Sequence, residues 1–222
     1  MAAAVALFIS CSKNSSAPEE PTLPTRHVLF SDGYENDLSQ YTQVTYMPGW
    51  STMSISTAAA HSGTHSLASD TNKCGIKKIL DTAITDSIAG LEFYCMAKRT
   101  GQTNFYAALA TSGSSPTGLW VIMGMGIDRS DSLKFIYQNS PTDIINNEER
   151  NFAALDTNRW YKCNIEYNFS DSTLTCYLDD DTVRTRNVPN PGTLPRFVTM
   201  RDSLGSQGPR EYYLDDVTVY KR

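Results

Sequence analysis

Four carboxylates near the two ends of the sequence stand where they could hold a divalent cation. Asp32 and Glu35 follow the first apolar run, and Asp215 and Asp216 lie within the last one. If these runs are paired strands, the carboxylates meet, and they repel one another unless a cation joins them. Calcium suits such a set because it accepts several oxygen ligands with flexible geometry. The sequence predicts a structural calcium site here; turn formation and backbone donors are the alternative explanation.

Aromatic residues on three central runs are candidates for stacking against a sugar ring. We expect these runs, 91–98, 104–111 and 119–127, to form one central sheet. The candidate residues are Tyr94, Tyr106 and Trp120 for stacking, Arg201 and Gln138 for hydrogen bonds to hydroxyl groups, and Trp50 in a turn at the rim. A few polar groups placed around apolar rings are typical of ligand sites. The alternative is that each aromatic packs between two sheets.

Four cysteines follow the N-terminal region, and their spacing suggests no zinc site. Cys163 and Cys176 are predicted to face each other across a hairpin, and Cys74 with Cys95 could form a second bridge. Disulfides are permitted in an exported protein. Four buried thiols that pack as small apolar groups are an equally good interpretation.

Short runs rich in Val, Ile, Tyr, Phe and Thr, separated by Gly, Pro, Asn, Asp and Ser, predict an all-β domain over residues 26–222. The predicted strands are 27–31, 41–46, 53–57, 74–80, 91–98, 104–111, 119–127, 133–138, 160–167, 173–179, 196–201 and 212–220. Helical periodicity is absent apart from a possible turn at 146–151. Many antiparallel strands favour a two-sheet jelly-roll sandwich over an up-and-down barrel.

The segment 158–181 gives the clearest local prediction. Tyr161, Cys163 and Ile165 alternate with polar residues, so one face of this strand is buried. The run 173–179 alternates in the same way, and a hairpin that pairs residue 165 with residue 174 aligns the two apolar faces.

The N-terminal region reads as a processing signal followed by a linker. An apolar run over residues 2–9 leads to Ser10 and Cys11, which resemble a bacterial lipobox with Cys11 as the lipidated residue. Residues 12–25 are rich in Ser, Pro and Glu, and we expect them to act as a flexible tether. This organisation resembles Bacteroidetes-type lipoproteins and implies export to the outer membrane, at the cell surface or facing the periplasm.

The charge of the chain excludes one class of function. Its 222 residues carry a formal net charge of -5, with 40% hydrophobic residues and no basic cluster. Proteins that bind nucleic acid usually concentrate Lys and Arg on one face. We therefore expect no nucleic-acid partner, and contact with a membrane only through the lipid anchor.

Several short phrases together resemble the concanavalin A-like lectin and glucanase superfamily. They are 30–36 (FSDGYEN), 61–67 (HSGTHSL), 159–161 (RWY), 177–180 (YLDD) and 213–219 (YLDDVTV). The resemblance implies a jelly roll that binds carbohydrate, and related modules carry a structural calcium between their first and last strands. Fold alone does not assign an activity, because this superfamily includes lectins, hydrolases and lyases.

Catalytic motifs are missing from the sequence. The Glu-x-Asp-x-x-Glu strand of the related hydrolases does not occur, nor do the Arg-x-Glu-x-Arg and Gln-x-His strands of the related alginate lyases. The leading hypothesis is therefore non-catalytic binding of a polysaccharide by an anchored lipoprotein. A divergent lyase or hydrolase and an adhesive module that recognises protein are the alternatives.

Overall fold

Short β-branched and aromatic runs pair into two antiparallel sheets, as the alternation of the sequence predicts. The computed structural model describes residues 25–44, 52–69, 74–84, 88–98, 105–112, 119–128, 132–137, 147–149, 153–189, 192, 194–202 and 211–222. For Trp120, residues 147–149 and Asp202 it describes the backbone alone. Within these ranges the protein has strands and no helix.

The strands in chain order are β1 (His27–Asp32), β2 (Thr42–Gln43), β3 (Ser54–Ser56), β4 (Ser66–Ser69), β5 (Gly75–Ile79), β6 (Ile88–Ala97), β7 (Phe105–Ser112), β8 (Leu119–Ile127), β9 (Leu133–Tyr137), β10 (Asn147–Glu149), β11 (Tyr161–Asn168), β12 (Thr173–Leu178), β13 (Asp181–Asn187), β14 (Phe197–Asp202) and β15 (Tyr212–Lys221). Every run predicted as a strand overlaps one of these. Strand β10 lies where the sequence suggested a helical turn, so that prediction is wrong.

The eight-stranded sheet has the order β13-β12-β11-β6-β15-β4-β3, and β1 pairs with β15. The seven-stranded sheet has the order β10-β9-β8-β7-β14-β5-β2. The inner faces pack into one core, in which side chains such as Phe93 and Ile165 from one sheet and Phe105 and Met125 from the other are fully buried. The prediction of an all-β, two-sheet sandwich is confirmed, and the pairing of the first and last strands is confirmed with it.

The expected central sheet of three runs does not form. Strand β6 belongs to the eight-stranded sheet, whereas β7 and β8 pair with each other in the seven-stranded sheet. Tyr94 therefore lies on a different sheet from Tyr106 and Trp120. The sequence pattern shows which residues share a strand face, but sheet membership depends on pairing between distant segments.

A bulge in β8 also breaks the predicted alternation. Leu109 pairs with Met123 and Ala110 with Val121, so Ile122 is an extra residue. As a result Val121, rather than Ile122, shares the outer face with Gly124 and Ala108. Trp120 pairs with Thr111 through its backbone.

The hairpin of β11 and β12 forms with a register that differs from the prediction by two residues. Ile165 pairs with Cys176, and Cys163 pairs with Leu178. The shift keeps the apolar faces aligned but separates the two cysteines. Cys74, Cys95, Cys163 and Cys176 are all buried free thiols, so neither predicted disulfide is present. The thiol nearest to Cys163 is that of Cys95 on β6, with the two Sγ atoms 3.5 Å apart.

Some predicted features lie outside the described residues. These are Cys11, the tether up to residue 24, Trp50 and Gln138. In the part of the chain that the structure describes, no helix has the length and apolar character needed to cross a membrane.

Candidate functional site: the outer face of the seven-stranded sheet

A row of polar side chains crosses the outer face of the seven-stranded sheet. Lys134 on β9 pairs with Gly126 on β8, which pairs with Tyr106 on β7, and Tyr106 pairs with Arg201 on β14. The row ends at Gly75 on β5. Since residues in register on neighbouring strands point to the same face, two cations and a phenol lie side by side.

Glycines on either side make this close approach possible. A Cβ on Gly126 would overlap the Phe105 carbonyl and lie 2.6 Å from the Tyr106 Cβ. The Lys134 Nζ lies 4.9 Å from the centroid of the Tyr106 ring, a cation–π contact. Gly75 is similarly tight, since its Cβ would lie 3.3 Å from the Arg201 Cγ. Small residues thus let the large polar ones lie against the sheet.

Hydrogen bonds to the sheet hold Arg201 in place. Its Nε donates to the Thr199 hydroxyl at 3.3 Å, and that hydroxyl donates to the Ile76 carbonyl at 2.9 Å. Arg201 and Tyr106 are each 4% exposed, and Lys134 is fully buried. Burying a cation costs several kcal/mol unless anions or hydrogen-bond acceptors compensate it. Both cations have partners within the protein that offset this cost.

The next row of this face consists of small and apolar side chains. Ile136, Gly124, Ala108 and Thr199 are in register across β9, β8, β7 and β14. Beyond them, Phe197 on β14 pairs with Ala110 and with Ile79. The middle of the face therefore consists of small residues, and these are buried in the folded chain.

Among the side chains that the structure describes on this face, cations outnumber carboxylates. These side chains include the cations Lys77, Lys134 and Arg201. They also include the carboxylate of Asp128, which is two residues after Gly126 and therefore on the same face. The whole chain carries -5. A local excess of positive charge on an acidic protein attracts and orients anionic ligands.

The outer face of the eight-stranded sheet is filled by its own side chains. Tyr220 lies across Gly90, and the Arg26 guanidinium carbon is 3.6 Å from the centroid of its ring. The Tyr220 hydroxyl is 2.6 Å from Glu166, and Arg222 forms an ion pair with the same carboxylate at 3.2 Å. Here large aromatics and paired charges satisfy one another, which leaves little for a ligand to contact.

Tyr94 is part of this second face. The His61 ring stacks on it with the centroids 3.5 Å apart, and Trp160 packs edge-on against His61. Partial burial raises the pKa of the Tyr94 hydroxyl. The predicted stacking platform is thus divided: Tyr94 and Tyr106 lie on the outer faces of different sheets, because β6 pairs with β15 rather than with β7. The backbone of Trp120 pairs with Thr111, which alternates with Ala110 and is therefore not in the row of Tyr106.

Three of the four predicted metal ligands, Glu35, Asp215 and Asp216, surround the loop of residues 61–65. The Glu35 carboxylate accepts hydrogen bonds from the Thr64 and His65 backbone N–H groups at 2.9 and 3.0 Å, and these lower its pKa to about 2. Gly63 has a φ of 61°, and a Cβ there would overlap the Glu35 carboxylate. The loop is therefore fixed by a carboxylate from the turn after β1.

Asp215 and Asp216 hold the other side of the same loop. Asp215 Oδ2 accepts from the His61 N–H at 2.8 Å, and Asp216 contacts the His61 Nδ1 and the Ser62 hydroxyl at 2.6 Å each. Burial raises the pKa of Asp215. A bulge after Asp215, where Asp216 has a φ of 48°, brings Val217 into the core. The predicted common face of Tyr213, Asp215 and Val217 is therefore wrong.

These contacts show what the four carboxylates bind in the folded chain. Asp32 accepts from the Tyr34 N–H and the Tyr41 hydroxyl, so it serves a different turn from the other three carboxylates. Among the described residues, no group of three His, Cys, Asp or Glu side chains converges in a way that could hold a metal ion. As they stand, the four carboxylates do not fit a cation, because protein donors already occupy them; calcium stays a prediction.

Sequence reasoning missed Lys134. The sequence contains a signal for it: Lys134 lies within the apolar run Leu133–Tyr137, two residues before Ile136 and so on the same face of the strand. A lysine inside a strand that is otherwise apolar indicates either a paired structural cation or a ligand site. Arg201 and Tyr106, which were predicted, are brought together with it.

Comparisons with known proteins support the fold. No family model matches the chain, and no curated protein matches it. An endo-β-1,4-glucuronan lyase from Trichoderma reesei is similar in structure, with a TM-score of 0.66, 14% identity, and coverage of 88% of this chain and 96% of the other. The class that fold and site define is a jelly-roll β-sandwich with a cationic outer face.

Two further solved structures have the same architecture. A carbohydrate esterase of the Shiga toxin-encoding bacteriophage phi24B matches with a TM-score of 0.60, 10% identity, and coverage of 88% of this chain and 99% of the other. The cellulose-induced protein Cip1 matches with a TM-score of 0.57, 13% identity, and coverage of 86% and 96%. At these identities the likeness concerns the fold alone, and it agrees with the concanavalin A-like resemblance of the sequence.

Proposed function

We propose that the protein binds an acidic polysaccharide, a polyuronate, on the outer face of the seven-stranded sheet. The observation that carries this proposal is the row of Lys134, Tyr106 and Arg201. A guanidinium matches the two oxygens of a carboxylate, an ammonium adds a point charge, and a phenol offers a ring and a hydroxyl. A uronic acid unit presents the complementary carboxylate, ring face and hydroxyl groups.

The structural neighbours support the same class of ligand. Three of them are described as a glucuronan lyase, a carbohydrate esterase and a cellulose-induced protein. Glucuronan is a polyuronate, so the first of these acts on the kind of polymer that the cationic row would attract.

The test is calorimetric titration of the full chain with polyglucuronate and with a neutral glucan of matched length. We expect binding to the polyuronate alone, weakening as salt is added because the contact is electrostatic. Arg201→Lys should lower the affinity for the polyuronate roughly tenfold, since it removes the bidentate hydrogen bonds of the guanidinium to a carboxylate. Arg222→Lys, the same change on the other outer face, is the matched control and should have no effect. Equal affinity for the neutral glucan would contradict the proposal.

A second candidate, a polyuronate lyase, is favoured by the position of Tyr106 between Lys134 and Arg201 in the row. In β-elimination a base removes the C5 proton, the C4–O bond breaks, a C4–C5 double bond forms, and the leaving oxygen takes a proton. Cations that neutralise the uronate carboxylate make that proton easier to remove. None of the three histidines lies on this face, because His27 is on β1 and the other two are in the loop before β4.

The two candidates are separated by Tyr106→Phe, which keeps the ring and removes the hydroxyl. If the protein is a lyase, the unsaturated product, which absorbs ultraviolet light, disappears in this variant while binding is kept. If the wild-type protein releases no product from any polyuronate, the function is binding alone.

The proposed location is a membrane surface. A lipid on Cys11 and the tether over residues 12–25 would hold the sandwich away from the bilayer, where polymers are accessible. Cys11→Ala should move the protein from the membrane fraction to the soluble fraction. Retention of this variant in the membrane would contradict the anchor.

A further inference from the structure

A pocket of about 300 Å³ lies at the end of the same outer face, away from the cationic row. Its walls come from the end of β5, the end of β7 and the start of β14. They include Ile79, Asp81, Ser112, Arg196 and Phe197. Phe197 pairs with Ala110 and with Ile79, so all three point to the outer face.

The chemistry of this pocket is that of a sugar subsite. Phe197 presents a half-buried ring, and Ile79 is 62% exposed beside it. Exposed Asp81, Arg196 and Ser112 supply a carboxylate, a guanidinium and a hydroxyl. Apolar surface with a few polar groups is typical of ligand pockets, and about 300 Å³ is the small end of their range. That size suits a single ring rather than a larger ligand.

The pocket is aligned with the cationic row. Arg201 and Phe197 are four residues apart on β14, a distance of about 13 Å along the strand on the same face. Thr199 lies between them, and the Lys77 Nζ is 5.5 Å from the centroid of the Phe197 ring. A linear polymer that lies along β14 would therefore meet the cationic row, then Lys77, then the pocket.

We infer that this pocket, formed around Phe197, Asp81 and Arg196, is a subsite for a further pyranose unit of the polyuronate. The inference rests on the proposed function. It predicts that affinity depends on chain length, because a short fragment on the cationic row does not reach Phe197.

The experiment titrates the full chain with polyglucuronate fragments of defined length, from the dimer to the hexamer. Phe197→Leu removes the ring and keeps an apolar side chain against Val44 and Ala110. It should weaken hexamer binding roughly three- to tenfold and leave the dimer unchanged, since one aromatic contact of this kind is lost. Asp81→Asn, an exposed change at the rim, should act in the same direction without disturbing the fold.

Phe169→Leu is the matched control, because Phe169 is half-buried against Tyr167 beside the other sheet. It should bind every fragment as the wild type does. If Phe197→Leu and Asp81→Asn bind the hexamer as tightly as the wild type, the subsite is wrong while polyuronate binding stands. If the wild-type protein binds no polyuronate of any length, the proposed function fails and the subsite fails with it.

Discussion

The outer faces of the two sheets use similar residue types in opposite ways. On the eight-stranded sheet, Arg26 and Lys162 both approach Glu92 in ion pairs, and the Tyr220 ring covers the strand beneath it. On the seven-stranded sheet, Lys134 and Arg201 lie among alanine and glycine. A face filled by its own large side chains is complete without a ligand. A face of small residues instead brings cations close to the backbone, and this is where we propose the ligand site.

Each face has a glycine against which neighbouring atoms pack closely. Gly90 on β6 is where the Tyr220 ring lies, and Gly126 on β8 is where β7 and Tyr106 approach. Both glycines are required by space, but the atoms that occupy the space differ. At Gly90 they belong to an aromatic side chain, and at Gly126 they include a backbone carbonyl.

The largest expected effect follows from this contrast. Gly90→Ala should lower the free energy of unfolding by about 2 kcal/mol, and Gly126→Ala by about 3 kcal/mol, since inserted methyl groups overpack tight sites. In a Tyr220→Leu background the cost of Gly90→Ala should fall by about 1 kcal/mol, because the ring it displaces is gone. In a Tyr106→Ala background the cost of Gly126→Ala should persist. Urea denaturation measures all of these changes.

A double-mutant cycle that gives no coupling between Gly90 and Tyr220 would contradict this account of the eight-stranded sheet. Rescue of Gly126→Ala by Tyr106→Ala would show that the approach of β7 is set by the Tyr106 ring rather than by the backbone. Either result would remove the physical distinction between the two faces.

A smaller effect concerns the 61–65 loop, which borders the eight-stranded sheet. Backbone N–H groups of His65 and Thr64 lower the Glu35 pKa from 4.5 to about 2. A carboxyl whose pKa is lower in the folded state stabilises the fold above its unfolded pKa, and that contribution is lost as the pH falls from about 4.5 to about 2. Glu35→Gln should flatten the stability curve in this window, as measured by thermal melting at stepped pH. An unchanged pH dependence would contradict the role of Glu35.

The calcium prediction is tested on the same loop. An ion that binds only the folded state raises the melting temperature by mass action, so a chelator should lower it if calcium is bound. With Glu35, Asp215 and Asp216 held by loop donors alone, chelation has no effect. Melting curves with and without chelator therefore show whether a cation or hydrogen bonds alone hold the loop in place.

Much of the fold could be predicted from the sequence, because alternation of apolar and polar residues is a local property. The positions of β11, β12 and β15 follow from it directly. The bulges at Ile122 and Asp216 could not be predicted, since each depends on how the neighbouring strand pairs. Past each bulge the predicted face is inverted, which is why the assignments of Ile122 and Val217 fail.

The candidate site was half predictable for a similar reason. Arg201 and Tyr106 could be selected by residue type, and both lie in the row. Tyr94 was selected by the same criterion and lies on the other sheet, because strand order across a sandwich is set by long-range pairing. Residue type alone therefore cannot distinguish a sheet face that binds a ligand from a face that is covered by its own side chains.

The smallest expected effect concerns the free thiols of the interior between the two sheets. We expect all four cysteines after residue 25 to be reduced. In a Cys11→Ala chain, four thiols should react with a thiol reagent in denaturant, and very few in the folded protein, because all four are buried. Burial raises the pKa of Cys176, and contact with Cys95 raises that of Cys163, so little reactive thiolate is present in the fold. Two thiols in denaturant instead of four would contradict the free-thiol state. Peptide mapping of such a bridge would then test the strand register, because the observed pairing places Cys163 beside Cys95 and away from Cys176.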